Sequence, residues 1–196
     1  MKSIEERPAI VDECSEIGHW EVDTVVAQRE GREAVTFTAV EKVTRNYIAI
    51  RIAGVKAAMA QLQEQYGTEC CSQVFKTMTA DNGPEFETFS KFESLGTKIY
   101  FTHPYSSWER PQNERHNGLL LNFIPKGISI EFFTDENILN MADELNQRPC
   151  RISGYHSPTE LSICSSMKSV LLIMFIDYSF VQFQLAIYHL LILSKT

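Results

Sequence analysis

Three runs rich in β-branched and aromatic residues crowd into residues 20–53, and that crowding constrains the fold more than any other feature. Trp20 to Ala27 carries Val22, Val25 and Val26, residues 34–43 read AVTFTAVEKV, and residues 47–53 read YIAIRIA. Such runs favour strands. The GRE and TRN segments between them suit turns. Together they predict a three-strand antiparallel meander.

Beyond Lys56 the pattern changes. Residues 56–66 (KAAMAQLQEQY) are rich in helix formers, and Gly67 is placed to end the helix. Val74 to Thr79 reads as a fourth strand, followed by a turn at Asp81-Asn82-Gly83. Phe86, Phe89 and Phe92 recur at three-residue spacing, which predicts a helix over 85–95 stopped by Gly96. Residues 98–102 (KIYFT) form the fifth strand. After a loop from His103 to Gln112, Pro111 opens a helix that continues over 112–123, with Leu119, Leu120 and Phe123 as its apolar contacts. Pro125-Lys126-Gly127 breaks that helix. A further helix over Glu136–Asn146 has Ile138, Leu139, Met141, Ala142 and Leu145 as its apolar set. The order β-β-β-α-β-α-β-α-α predicts an α/β fold: a five-stranded mixed sheet, meander first and then alternating strands and helices, with helices on both faces.

Residues 1–18 read as an extended, acidic lead-in, residues 19–165 as the core, and residues 166–196 as an apolar, helix-prone tail. The run from Val170 to Leu193 is long enough to span a bilayer. Asp177 at a membrane helix centre would cost about 2.5–3.5 kcal/mol, and Gln182, Gln184 and His189 add polar load. A buried or partner-facing helix therefore outranks a membrane span. The abrupt change of style after Ser165 also fits non-native read-through sequence. Five cysteines without C-x-x-C spacing read as reduced thiols in a cytoplasmic chain and argue against a zinc site. A net charge of −7 counts against a strong stand-alone DNA binder.

Three carboxylates stand in distinctive surroundings: Asp23 in GHWEVDTVV, Asp81 in TADNGPEF and Glu114 in SWERPQNERHNGLL. Each lies at a strand end or where a polar turn meets a helix pattern. Gathered at one point they would repel one another unless cations sat between them. Oxygen ligands of this kind suit Mg²⁺, and a pair of ions can serve phosphodiester displacement. Taken singly, Asp23 reads equally as a surface acid, Asp81 as the start of a turn and Glu114 as a first-turn acid favoured by the helix dipole. Neighbouring Glu21, Glu85 and Glu109 read as solvated charges. Asn82 and Gly83 read as shaping the turn beside Asp81.

The successive segments GHWEVD, TADNGPEF, YFTHPYSSWERPQNERHNGLL, FIPKG and LNQRPCRISGYHSPTEL resemble the ordered motifs of the insertion sequence 30 family of bacterial transposases. The resemblance runs from about residue 7 to about residue 162, with 33 positions from Asp81 to Glu114. It implies an RNase H-like, retroviral-integrase-like core and a DDE polynucleotidyl transferase. It also implies DNA strand cleavage and strand transfer with Mg²⁺ or Mn²⁺, two ions, held by Asp23, Asp81 and Glu114. DNA, both element ends and target, is then the partner, along with further copies of the chain or a full-length transposase. Trp108 is a candidate for base stacking, as is Tyr105. Arg110, Asn113, Asn117 and Lys126 are candidate phosphate or sugar contacts.

Several positions depart from the family pattern. Leu121 and Cys150 stand where basic residues are usual, and Pro111 where glycine is usual. The family's N-terminal helix-turn-helix region has no counterpart here, so the resemblance is to a truncated or degenerate member. Two alternatives follow: a non-catalytic core fragment that joins or inhibits full-length transposase, and an RNase H-like nuclease that cuts without joining.

Overall fold

The computed structural model describes residues 2–25, 35–52, 55–83, 86, 89, 93, 94 and 96–165. The chain divides into two compact units, Met1–Thr159 and Glu160–Thr196. The first holds the sheet. Of the second, residues 160–165 are described and are helical.

The meander forms as its composition dictates. Strands β2 (His19–Val25), β3 (Val35–Glu41) and β4 (Tyr47–Ile52) pair antiparallel in sequence order. Glu41 closes the tight β3–β4 connection, its Oε2 accepting from the Val43 and Thr44 N–H groups at 2.9 and 2.6 Å. Helix α2 (Val55–Tyr66) follows and ends at Gly67, whose φ of 75° is a conformation that favours glycine. Residues 68–74 form a second helix, α3 (Thr68–Val74), which takes in Val74, the expected first residue of the fourth strand. Strand β5 (Thr77–Ala80) therefore starts three residues later than expected. Strand β6 is Lys98–Phe101.

Among the described residues the sheet has six strands rather than five, in the order β1-β6-β5-β2-β3-β4. The sixth is β1 (Lys2–Ser3), which pairs parallel with β6. The lead-in is thus built into the fold. A 3-10 turn (Ile4–Glu6) and the short helix α1 (Ile10–Glu13) follow β1. Arg7 reaches from this segment to the sheet, donating to Thr79 Oγ1 at 2.9 Å and pairing with Asp12. The sequence could not show this, because two residues of strand carry no periodicity.

Side chains alternate across the sheet. Trp20, Val22, Phe37, Ala39 and Ile52 point to one face, packed with Ala58, Met59, Leu62 and Phe75 of α2 and α3 and the residue after them. Phe86 and Phe89 complete that cluster and meet edge to face, with ring centroids 5.4 Å apart. Phe92 and Glu85, like the tail beyond residue 165, lie outside the described residues, so the helix expected over 85–95 is described at isolated positions alone. The opposite face buries Val40, Tyr47 and Ala49 against helices α4 (Pro111–Leu121) and α5 (Asp135–Asn146), through Leu120, Ile138, Ala142 and Leu145. Thr134 and Asn137 form a capping box that fixes the start of α5. At its other end Asn146 mimics a strand partner: its amide accepts from Tyr47 N at 2.7 Å and donates to Tyr47 O at 2.8 Å. Among the described residues no helix is long and apolar enough to cross a membrane.

Candidate active site

The parallel pairing of β2 with β5 sets the site. His19 faces Thr77, Trp20 faces Met78 and Glu21 faces Thr79. Continued by two residues, that register brings Asp81, just past the end of β5, alongside Asp23. The turn after β5 then orients Asp81. Gly83 N–H donates to Asp81 Oδ1 at 3.1 Å, and Asn82 Nδ2 ties the turn to Thr102 O at 2.7 Å. Asn82 and Gly83 therefore act as the turn-shaping pair that the sequence suggested.

Both carboxylates converge on one cation, Arg110. Its Nη1 lies 3.2 Å from Asp23 Oδ2 and its Nη2 lies 3.4 Å from Asp81 Oδ2. Nη1 also donates to Val22 O at 2.7 Å. Asp23 is further held by Thr24 N–H on Oδ1 at 2.8 Å and by Asn117 Nδ2 on Oδ2 at 3.3 Å. Burial pushes the Asp23 carboxyl above its usual range; the Arg110 charge pulls the other way, and the nearby Asp81 charge adds to the rise.

Glu114 does not join this pair. It lies in the first turn of α4 and is exposed. Among the described residues no group of three acidic, histidine or cysteine side chains is gathered closely enough to hold a metal ion. The expected trio is a converging pair with a third carboxylate on the adjoining helix. Glu114 stands four residues after Arg110, at the N-cap of α4, and three before Asn117, within it; both touch Asp23. These spacings lie on one helical face.

The candidate DNA contacts divide sharply. Asn113 is fully buried; its Nδ2 donates to Glu21 O at 2.7 Å, and its Oδ1 accepts from Thr38 Oγ1 at 3.2 Å. Asn117 is buried too, its Oδ1 accepting from the Tyr47 hydroxyl at 3.0 Å. Both are buried and fasten α4 to the sheet. Arg110, buried at the head of α4, is spent on the two aspartates rather than offered to phosphate. Trp108, Tyr105 and Lys126 are exposed. Tyr105 projects fully into solvent from a backbone with φ of 60°. It lines a cleft of about 560 Å³ together with Asp81, Asn82, Thr102, His103 and Arg110.

Glu21, which the sequence predicts as a solvated charge, is instead fully buried. Its Oε2 accepts from the N–H groups of Gln112 and Asn113, each at 3.0 Å, and Lys42 Nζ lies 3.5 Å from Oε1. A carboxylate beneath a helix N-terminus satisfies orphan donors and complements the helix dipole. It seats the helix that carries Arg110, Glu114 and Asn117. The available signal was the i, i+2 spacing of Glu21 and Asp23, which puts both on one face of a strand.

No family model matches the chain. Individual relatives do. The chain is 40% identical over 161 residues to the probable transposase for insertion-like sequence element IS1161 of Streptococcus salivarius, covering 82% of this chain and 46% of that protein. It is 32% identical over 158 residues to the transposase for insertion sequence element IS4351 of Bacteroides fragilis, covering 80% and 48%. It is 31% identical over 160 residues to transposase InsI for insertion sequence element IS30A of Escherichia coli K12, covering 81% and 41%. The chain spans about half the length, or less, of these relatives. Among solved structures, the catalytic core domain of BIV integrase superposes with a TM-score of 0.54 at 21% identity, covering 78% of this chain and 98% of that one. The fold is therefore the RNase H-like fold of integrase cores. Across some four fifths of its length, this chain is homologous to the transposases of the insertion sequence 30 family.

Proposed function

We propose that this chain carries the metal-dependent catalytic site of a DDE-type DNA strand transferase, with Asp23, Asp81 and Glu114 as its metal-holding carboxylates. The observation that carries the reading is the meeting of Asp23 and Asp81, from adjacent strands, on a single cation. Hard carboxylate oxygens suit Mg²⁺ or Mn²⁺, and Mg²⁺ is commonly held by one or two carboxylates with water and substrate phosphates completing its shell. When bound, two such ions would activate the attacking oxygen and stabilise the leaving one at phosphorus.

The chain's own residues supply rigidity and position. Backbone N–H groups hold one oxygen of each aspartate, Thr24 on Asp23 and Gly83 on Asp81, and leave the Oδ2 atoms turned toward each other's cation. Glu114 is brought in by rotation of its exposed side chain, between Arg110 and Asn117 on the same face of α4. Tyr105 and Trp108 offer aromatic faces beside or near the cleft for DNA bases, and Lys126 offers charge to phosphate. The substrate is DNA at an element end. Water attacks first, and the freed 3′-hydroxyl then attacks target DNA. Catalysis of this kind is mainly positioning and charge neutralisation. The relatives' names support the substrate class. Assembly with further copies, or with a full-length transposase, would supply the DNA-holding surface that a net charge of −7 makes poor in the single chain.

The test is strand transfer from a pre-cut element end with Mg²⁺ or Mn²⁺. Joined products that vanish in Asp23→Asn, Asp81→Asn and Glu114→Gln are expected, each with a loss of roughly a hundredfold or more. Cutting without joining would replace this reading with a nuclease. No metal-dependent cleavage in any assembly would sink the enzymatic reading and leave the fold intact.

A further inference from the structure

Arg110 lies between the two aspartates. Its side chain is 7% exposed, and the Asp23 and Asp81 oxygens approach it at 3.2 and 3.4 Å. Both separations exceed the 2.7–2.9 Å of a well-formed charge-assisted hydrogen bond. Among the described residues the buried Nε has no hydrogen-bond partner. Arg110 also begins α4 with an extended-side backbone (φ −128°, ψ 55°) and caps nothing with its side chain. One firm bond, to Val22 O at 2.7 Å, steadies it. The side chain is thus close enough to neutralise the pair, but its contacts with the two carboxylates are long.

Mg²⁺ takes carboxylate oxygens at about 2.0–2.1 Å. An ion drawing in the same two Oδ2 atoms would sit within about one atomic diameter of the guanidinium, and like charges at such range repel strongly. The two cations exclude each other. Displacement also has somewhere to go, because Arg110 lines the open cleft shared with Thr102, His103 and Tyr105. A planar guanidinium turned into that cleft is well suited to a phosphate oxygen.

We propose that Arg110 is a resident counter-ion of the Asp23–Asp81 pair, seated when no metal is bound and displaced toward the cleft when a divalent cation enters. This rests on the reading of Asp23 and Asp81 as metal-holding residues. Arg110 is a positioning residue in this scheme: it keeps two buried-side carboxylates together in the metal-free protein and competes with the ion for them. Its occupancy sets the apparent affinity. If it is seated in about nine of ten molecules, metal binds about tenfold more weakly than to an open site.

The experiment is a Mn²⁺ titration of the full chain, followed by electron paramagnetic resonance, for the wild type, Arg110→Gln, Arg110→Lys and Asp81→Asn. Arg110→Gln is expected to bind about tenfold more tightly than wild type, and Arg110→Lys in between, while Asp81→Asn loses the site. Equal or weaker binding by a folded Arg110→Gln, with Asp81→Asn still abolishing binding, overturns the counter-ion role and leaves the metal reading standing. No binding by either wild type or Arg110→Gln overturns both. A second measurement needs no folded glutamine variant: the Arg110 side-chain Nε–H resonance of the wild type, assigned through Arg110→Lys, should shift as Mg²⁺ saturates the site. Saturation without a shift contradicts displacement.

Discussion

Glu21 shows how one buried carboxylate can organise a site without being part of it. Replacing it with alanine removes the acceptor for two helix N–H groups and takes one of two carboxylate partners from the buried Lys42, leaving it Asp12 at 3.5 Å. Breaking such a buried arrangement costs about 3–5 kcal/mol, which urea unfolding would register. Glu21→Gln keeps an acceptor oxygen and should cost less, about 1–2 kcal/mol. Equal losses from the two changes would mean the charge, not the acceptor, carries the effect. At the cleft, His103 donates its ring N–H to Glu109, with Nδ1 and Oε1 2.8 Å apart. That bond and the Glu109 charge hold the imidazole above its ordinary 6.5. The pairing therefore contributes fully below pH 6.5 and is lost as pH rises through the raised folded value. An NMR titration should place the His103 midpoint above 6.5, and Glu109→Gln should bring it down. A wild-type midpoint at or below 6.5 would contradict this pairing in solution. Residue chemistry was only partly legible in the sequence. That Asp23 and Asp81 come together was legible, because one acid lies in a strand and the other opens a DNG turn just past its parallel neighbour. The inward roles of Asn113, Asn117, Arg110 and Glu21 could not, since a polar side chain in a motif looks the same whether it faces solvent or the sheet.

Helix α4 is the element on which the site depends. Its inner face is polar where it meets β2 and β3, through Asn113 and Asn117, and apolar lower down, through Leu120 against Ile138 and Ala142. The polar half gives direction and the apolar half gives most of the adhesion. Asn113→Ala should therefore remove the side-chain donor to Glu21 O and leave Thr38 Oγ1 with only its longer contact to Asp23 O at 3.4 Å, at about 1–3 kcal/mol. Strand transfer should fall more than stability alone explains, because Glu114 is the next residue along. Loss of stability with unchanged turnover at saturating metal would show that α4 keeps its seat by other means. Strands β2 to β6 and helices α2, α4 and α5 were legible because alternation and helical spacing survive in sequence. Helix α3 was not: TECCSQV has weak helix formers, and its formation owes more to Cys71 packing into the core than to propensity. Strand β1 was invisible for a different reason, since pairing with β6 and the Arg7 contact, not its own two side chains, define it.

For the whole molecule, the sheet separates two unlike interiors, an aromatic-rich layer under α2 and α3 and an aliphatic layer under α4 and α5. The acidic pair emerges at the strand ends, on the α4 side. Metal that binds only the folded pair must stabilise the fold by mass action, by about 2.7 kcal/mol at a hundred times its dissociation constant. Millimolar Mg²⁺ or Mn²⁺ should raise Tm by several degrees, and Asp23→Asn with Asp81→Asn should erase the rise. An equal rise in the double variant would assign the effect to nonspecific screening. The parallel register of β2 and β5 joins residues 58 positions apart, His19 with Thr77. During synthesis the meander is complete long before β5 emerges. Until then one edge of β2 stands unpaired, a template for the wrong strand, and Asp23 has no neighbour to meet. Pairings of such long sequence separation form slowly. The chemical site is thus a late product of folding, and a chain stalled before residue 77 would own a stable-looking hairpin sheet, an open and adhesive border, and no capacity to gather a cation.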